Sequence, residues 1–148
     1  WPAQMKWYRW AVNGIADIEG KTVESTVFMH IPVIQYRYAW TEAWNEKKQT
    51  YKPEYAETSF GKNSEWVCSA PVDNGFFDLC KELGSTKNMI VGHDHVNSSS
   101  IVYDGIRLTY GLKLGEGCYF EEGMTGGTTL SVNSEGHVTT QHHYVALG

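Results

Sequence analysis

The sequence predicts an α/β fold built around a parallel crossover, and three observations carry that expectation. Two short apolar runs, Val27-Phe28-Met29 and Met89-Ile90-Val91, have the length and β-branched content of buried strands. Between them Phe76, Phe77, Leu79, Cys80 and Leu83 recur at helical spacing, and Gly84 stands where a left-handed residue stops a helix. Strand, connection, helix and strand in that order make a crossover between parallel strands. Beyond it, Ser99 to Tyr110 and Thr128 to Val145 each carry two strand-like runs about a turn, so the chain should close in β-hairpins.

The chain begins with a helix. Pro2 suits the first helical position, where its missing donor costs nothing, and Trp7, Ala11, Ile15 and Ile18 form a stripe with Tyr8 and Val12 beside it. Such a stripe calls for a sheet to cover it. The first strand then runs into His30, and Pro32, which cannot donate to a ladder, ends it. The second strand runs into Gly92-His93-Asp94-His95. Continued strand geometry would send His93 and His95 out on one face and Asp94 on the other, with Gly92 leaving room beside the strand end. Ligands of open parallel sheets gather beyond the carboxyl ends of the strands. His30, His93 and His95 converge there as candidate metal ligands.

Residues 35–74 are a long connection holding Tyr36, Tyr38, Trp40, Trp44, Tyr51, Tyr55, Phe60 and Trp66, interrupted by Pro53 and Pro71. Thr41 to Lys48 has the composition of one short helix. Long connections of this kind are usually functional, and the rings serve either as a wall over the cleft or as packing that fastens the segment to the body. Asp104-Gly105 is a two-residue hairpin turn, and Asn133 to Gly136 turns the second hairpin. Gly111 to Gly127 is glycine-rich without the Gly-Lys-Ser/Thr that closes a phosphate-cradling loop, so its glycines serve turns. His137, His142 and His143 lie in the last strand. Adjacent positions face opposite sides, so His142 and His143 cannot share one site.

Composition narrows the partners. A net charge of −5 over 148 residues, without a Lys/Arg cluster, does not favour a nucleic-acid partner. Cys68, Cys80 and Cys118 are too few and too widely spaced for a disulfide framework or a zinc knuckle, and Cys80 reads as helix core. No apolar run approaches membrane-spanning length.

His30-Ile31-Pro32 and Gly92-His93-Asp94-His95, with Asn97 just after, resemble the last two metal-binding blocks of the calcineurin-like metallophosphoesterases, in the branch related to purple acid phosphatases. The likeness extends through Asp73 to Phe77, Val91 to Asn97 and Gly105 to Gly111, and more faintly through Gly115 to Tyr119, Gly126 and Gly127. Gln4-x-x-Trp7 also suits the helix preceding the histidine-ending strand in that branch. The resemblance implies a dinuclear centre of divalent or trivalent metal ions (manganese, iron or zinc), with His30 and His93 on one metal and His95 on its neighbour. It further implies hydrolysis of a phosphate ester, mono- or diester, on a small phosphorylated substrate. The implied fold is a four-layer α/β/β/α sandwich of two mixed sheets, of which this chain would supply one side.

The family's three earlier blocks, Asp-x-His, Gly-Asp-x-x-Asp and Gly-Asn-His-Asp/Glu, do not occur here. The chain opens on Trp1-Pro2 without an initiator methionine, which agrees with a C-terminal portion. Residues 1–148 are therefore expected to be a single unit from a metallophosphoesterase domain, with residues 35–74 as an insertion. Its catalytic groups would lie in the missing N-terminal portion, and the isolated chain would be inert. Its uncovered apolar faces invite homo-oligomerisation. Two other readings stand beside this one: a non-catalytic binding module gripping a sugar or peptide through the aromatic segment, and a zinc-stabilised structural domain.

Overall fold

The fold is described from a computed structural model over residues 2–146; Trp1 lies outside the described residues. The centre is a four-stranded mixed sheet of β1 (Ser25–Phe28), β4 (Thr86–Val91), β6 (Ile106–Tyr110) and β5 (Ser100–Tyr103), in that spatial order. The pairs β1–β4 and β4–β6 are parallel and β5–β6 is antiparallel. The expected crossover is present, with α4 (Phe76–Leu83) returning the chain from β1 to β4. Gly84 at φ 69° terminates α4, its amide donating to the Cys80 carbonyl at 3.1 Å. Both expected hairpins form. Asp104 and Gly105, at φ 49° and 82°, make the positive-φ turn between β5 and β6. The second hairpin pairs β7 (Gly126–Val132) with β8 (Val138–Tyr144).

Helix α1 (Pro2–Glu19) matches the N-terminal expectation in extent but not in burial. It packs against α4, with Tyr8 edge-on to Phe76 and hydrogen-bonded to Thr86. An Arg9–Glu82 ion pair ties the same two helices. The predicted stripe remains uncovered: Trp7 is 62% and Ile18 82% exposed. Together with Val27, Met29 and Ile31 this face borders an open apolar groove of about 860 Å³ beside β1. No described strand pairs with the outer edge of β1.

Residues 35–74 carry more structure than the sequence implies. Helix α2 covers Gln35–Ala43, displaced from the expected Thr41–Lys48, and Trp44–Asn45 already form β2, paired with β3 (Thr50–Tyr51). The displacement follows from burial, since Tyr36, Ala39 and Ala43 share a helical face and enter the core. The Tyr36 hydroxyl donates to the Met89 carbonyl at 2.8 Å. Trp44 leaves the helix to stack on Trp40 at 4.5 Å, and Tyr51 meets both rings edge-on. These rings fasten the segment to itself and to the body, as the packing alternative expects.

Downstream of α3 (Pro53–Ala56), residues 60–63 run along the outer edge of β5 and the segment before it. Phe60 and Ser100 exchange backbone hydrogen bonds of 3.1 and 2.8 Å, and the Ser98 amide donates to Lys62 at 2.7 Å. Gly61 makes this strap possible. It sits at φ 74°, and a Cβ there would lie 1.9 Å from the Ser98 carbonyl oxygen. Gly61→Ala is expected to lower unfolding free energy by more than about 1 kcal/mol, measured by urea denaturation, because both the backbone conformation and the space reject a methyl. No helix among the described residues is long and apolar enough to cross a membrane.

Candidate metal centre

Parallel pairing sets the two histidine blocks side by side. Val27 faces Met89 and Phe28 faces Ile90. The pairing continues past the strand ends, where the Met29 amide donates to the Ile90 carbonyl at 3.0 Å and the Gly92 amide to the His30 carbonyl at 3.1 Å. His30 is thereby pinned beside Gly92, where a Cβ would make only an ordinary contact, 3.6 Å from His30 Nδ1.

The strand does not continue through Gly92-His93-Asp94-His95, which corrects the expected alternation of side chains. Strand β4 ends at Val91, and His93 adopts φ 72°. The Asp94 amide donates back to the Gly92 carbonyl at 2.9 Å, so Gly92-His93-Asp94 form a γ-turn of the rare positive-φ kind. Strain of this sort in a non-glycine residue clusters at functional sites. The turn brings His93 against His30, with His93 Nδ1 and His30 Nε2 3.4 Å apart and the rings edge-on. Two imidazole nitrogens each ~2.0–2.1 Å from one tetrahedral ion would stand roughly 3.3–3.4 Å apart, so this pair fits a shared metal.

His95 is not brought to that pair. Its ring stacks on Tyr119 at 4.5 Å, and its Nδ1 donates to the Tyr119 carbonyl at 3.0 Å. Tyr119 is held in turn by its hydroxyl, which donates to both Glu65 carboxylate oxygens at 3.1 and 2.9 Å. With Nδ1 protonated, His95 Nε2 keeps its lone pair, as a metal ligand requires.

Asp94 turns inward and is buried. Its Oδ2 accepts from the Tyr110 hydroxyl at 2.6 Å, the Cys68 amide at 3.1 Å and Asn97 Nδ2 at 3.3 Å. Burial first, and the Asp94 carboxylate second, push the Tyr110 hydroxyl far above its ordinary range, so it remains a donor. Asn97 does not cap its own turn as such a residue often does. Its Oδ1 accepts from the Glu65 amide at 3.1 Å, tying residues 63–68 to the site.

That tie delivers a residue that motif spacing did not mark. Cys68, His93 and Asp94 each offer a ligand atom within 4.8 Å of the others. Burial, followed by the charges of Asp94 and Glu65, raises the Cys68 thiol, the opposite of the depression found in nucleophilic cysteines. All three cysteines are free. The histidines of the last hairpin are engaged elsewhere. His142 Nε2 donates to the Ser98 carbonyl at 2.8 Å while its Nδ1 lies 2.9 Å from the Thr128 hydroxyl, and burial holds its proton affinity down. His143 meets Thr129, and His137 meets Glu24.

Fold and site together define a mixed α/β chain with a histidine-centred candidate metal site beyond the carboxyl ends of adjacent parallel strands. Among curated proteins it is similar to "Probable inactive purple acid phosphatase 14" of Arabidopsis thaliana, 29% identical over 92 residues. The match takes in 62% of this chain and 20% of that protein, a distant and partial relationship. No protein-family model and no solved structure matches the chain.

Proposed function

We propose that this chain is the C-terminal portion of a metal-dependent phosphoesterase domain, in which His30 and His93 serve one metal ion and His95 its neighbour. The observation that carries the reading is the 3.4 Å approach of His30 and His93 across two parallel strand ends, at the separation one metal ion would impose. The similarity to a purple acid phosphatase-like protein supports it. That relative's name includes "inactive", which sits comfortably with a chain holding only part of a ligand set.

Two metal ions about 3.5–4 Å apart would polarise a phosphoryl group and stabilise the oxygen that departs, and manganese, iron and zinc all accept imidazole. The chain's own residues prepare for this. The γ-turn at His93 orients one imidazole, the Tyr119 stack fixes the tautomer of another, and Asp94 locks the turn to Tyr110. Substrate is a small phosphate ester.

The bare stripe of α1 and the open edge of β1 are the face on which the remainder of the parent domain packs, completing a four-layer sandwich. Its occupant is the polypeptide preceding this segment, since the matched relative is several times longer than the stretch it shares. A second copy of the chain is the competing occupant, and sedimentation of the chain with and without that upstream polypeptide separates the two.

With manganese, iron or zinc and an aryl phosphate, the isolated chain is expected to give no turnover. Co-expression with the polypeptide encoded upstream is expected to give metal-dependent hydrolysis that His93→Ala and His95→Ala abolish. Turnover by the isolated chain that dies with His95→Ala would overturn the inert half of the proposal. A folded, metal-loaded whole without hydrolysis of mono- or diesters would overturn the other half.

A further inference from the structure

We infer that this chain by itself holds one zinc ion on Cys68, His93 and Asp94, a site distinct in composition from the all-histidine set that the sequence implies. The site shares His93 with the phosphoesterase reading but does not depend on it, because every donor lies within the chain.

Three features of the geometry carry the inference. The three ligand atoms lie within 4.8 Å of one another. Around one tetrahedral zinc, with Zn–S about 2.3 Å and Zn–N or Zn–O about 2.0–2.2 Å, donors stand roughly 3.3–3.7 Å apart, so the triad needs to close by about 1.5 Å at most. Closure of that size falls within side-chain reach, since Cys68 is exposed and His93 partly so.

The second feature is the way the donors are supported. All three hydrogen bonds to Asp94 converge on Oδ2, from Tyr110, Cys68 and Asn97, leaving Oδ1 without a partner among the described residues. A ligating carboxylate is normally held through hydrogen bonds to its other oxygen. The same Oδ2 receives the backbone amide of Cys68, so one carboxylate positions the thiol and stands beside it. The γ-turn at His93 is the third feature, aiming the imidazole away from the path a strand would have given it.

Chemistry then selects the ion. Thiolate, imidazole and carboxylate together suit zinc, whereas magnesium, calcium and manganese favour oxygen-rich shells. Three protein donors leave a fourth position, the pattern of zinc sites that stay open to a small ligand.

The test uses the 148-residue chain with zinc and, as a spectroscopic substitute, cobalt(II). One ion per chain is expected, with cobalt giving the intense near-ultraviolet absorption of a thiolate-to-metal charge transfer. Cys68→Ser should abolish that absorption and weaken zinc by at least the ~10–100-fold that even supporting residues are worth, with circular dichroism unchanged. His93→Ala should weaken zinc to a similar extent. Cys118→Ser should leave both band and stoichiometry intact, since that residue lies outside the triad. Absence of the band in the wild-type chain, its survival in Cys68→Ser, or its loss in Cys118→Ser would each overturn the site. Hydrolysis by the assembled parent domain is a separate readout, so failure there would leave this result standing.

Discussion

Asp94→Ala is expected to cost the fold about 3 kcal/mol or more, a large share of the ~5–15 kcal/mol that holds a typical domain together. The reason is the number of groups that depend on one buried oxygen. Tyr110 is fully buried and donates to Asp94 at 2.6 Å, so removing the carboxylate takes away its hydroxyl's charged acceptor. The Cys68 amide loses its acceptor in the same substitution, and Asn97 loses one of its two ties. Hydrogen bonds to a charged acceptor contribute about 1.5–3 kcal/mol each, and a stranded buried donor adds its own desolvation cost. Denaturation by urea should show the loss, and proteolysis should find new cleavage in residues 63–70, which Asp94 and Asn97 anchor. Asp94→Asn retains an acceptor and should fall between. A change below about 1 kcal/mol in Asp94→Ala would mean that Tyr110 finds another partner and that the network is not what positions Cys68.

That network also marks the limit of what the sequence could reveal. The crossover was legible because each part carries its own local signal: two β-branched runs, a helical spacing of apolar residues in α4, and Gly84 at the only place a left-handed cap could stand. The hairpins were legible for the same reason, Asp104-Gly105 being a turn by its chemistry. The site was legible only in part. His30 beside His93 follows from parallel strands that end together, and the chain signals both ends. The γ-turn at His93 left no trace, because positive φ in a non-glycine residue is imposed by its surroundings and not by its side chain. Extrapolating strand alternation through Gly92 therefore paired His93 with His95, where the fold separates them. Cys68 was invisible for another reason. It reaches the site through the inward turn of Asp94 and the tie from Asn97 to Glu65, contacts with no periodicity to betray them. In α2 the misplacement was one of competing signals: the Glu-Ala-Lys composition of residues 42–48 favours a helix, but burial of Tyr36, Ala39 and Ala43 set its actual span.

Above about pH 10 the fold is expected to lose stability steeply, and its buried tyrosines, Tyr36 and Tyr51 among them, are the cause. Burial raises its hydroxyl well above the ordinary tyrosine range, and that hydroxyl donates to the Met89 carbonyl between α2 and the central sheet. Tyr51 is raised as well, by burial first and by the neighbouring Tyr144 second, while it donates to the Phe60 carbonyl at 2.8 Å. Both groups therefore keep their protons in the folded chain at a pH where the unfolded chain, with tyrosines near pKa ~10, releases them. Below that value folded and unfolded states bind the same protons and the contribution to stability is complete. Above it the unfolded state binds fewer, so unfolding free energy falls by about 1.4 kcal/mol per pH unit for each such tyrosine until the folded-state pKa is reached. With Tyr110, whose hydroxyl burial and Asp94 raise in the same way, three of them give a slope of roughly 4 kcal/mol per unit, enough to exhaust the stability of a typical domain within a few pH units. Urea denaturation at intervals from pH 8 to 12 measures the slope directly. Tyr36→Phe shifts the whole curve down by the lost hydrogen bond but should reduce the alkaline slope by about 1.4 kcal/mol per pH unit, and Tyr36→Phe with Tyr51→Phe by about 2.7. An unchanged slope in the double variant would place the alkaline limit elsewhere in the chain and would show that these two hydroxyls titrate alike in the folded and unfolded states.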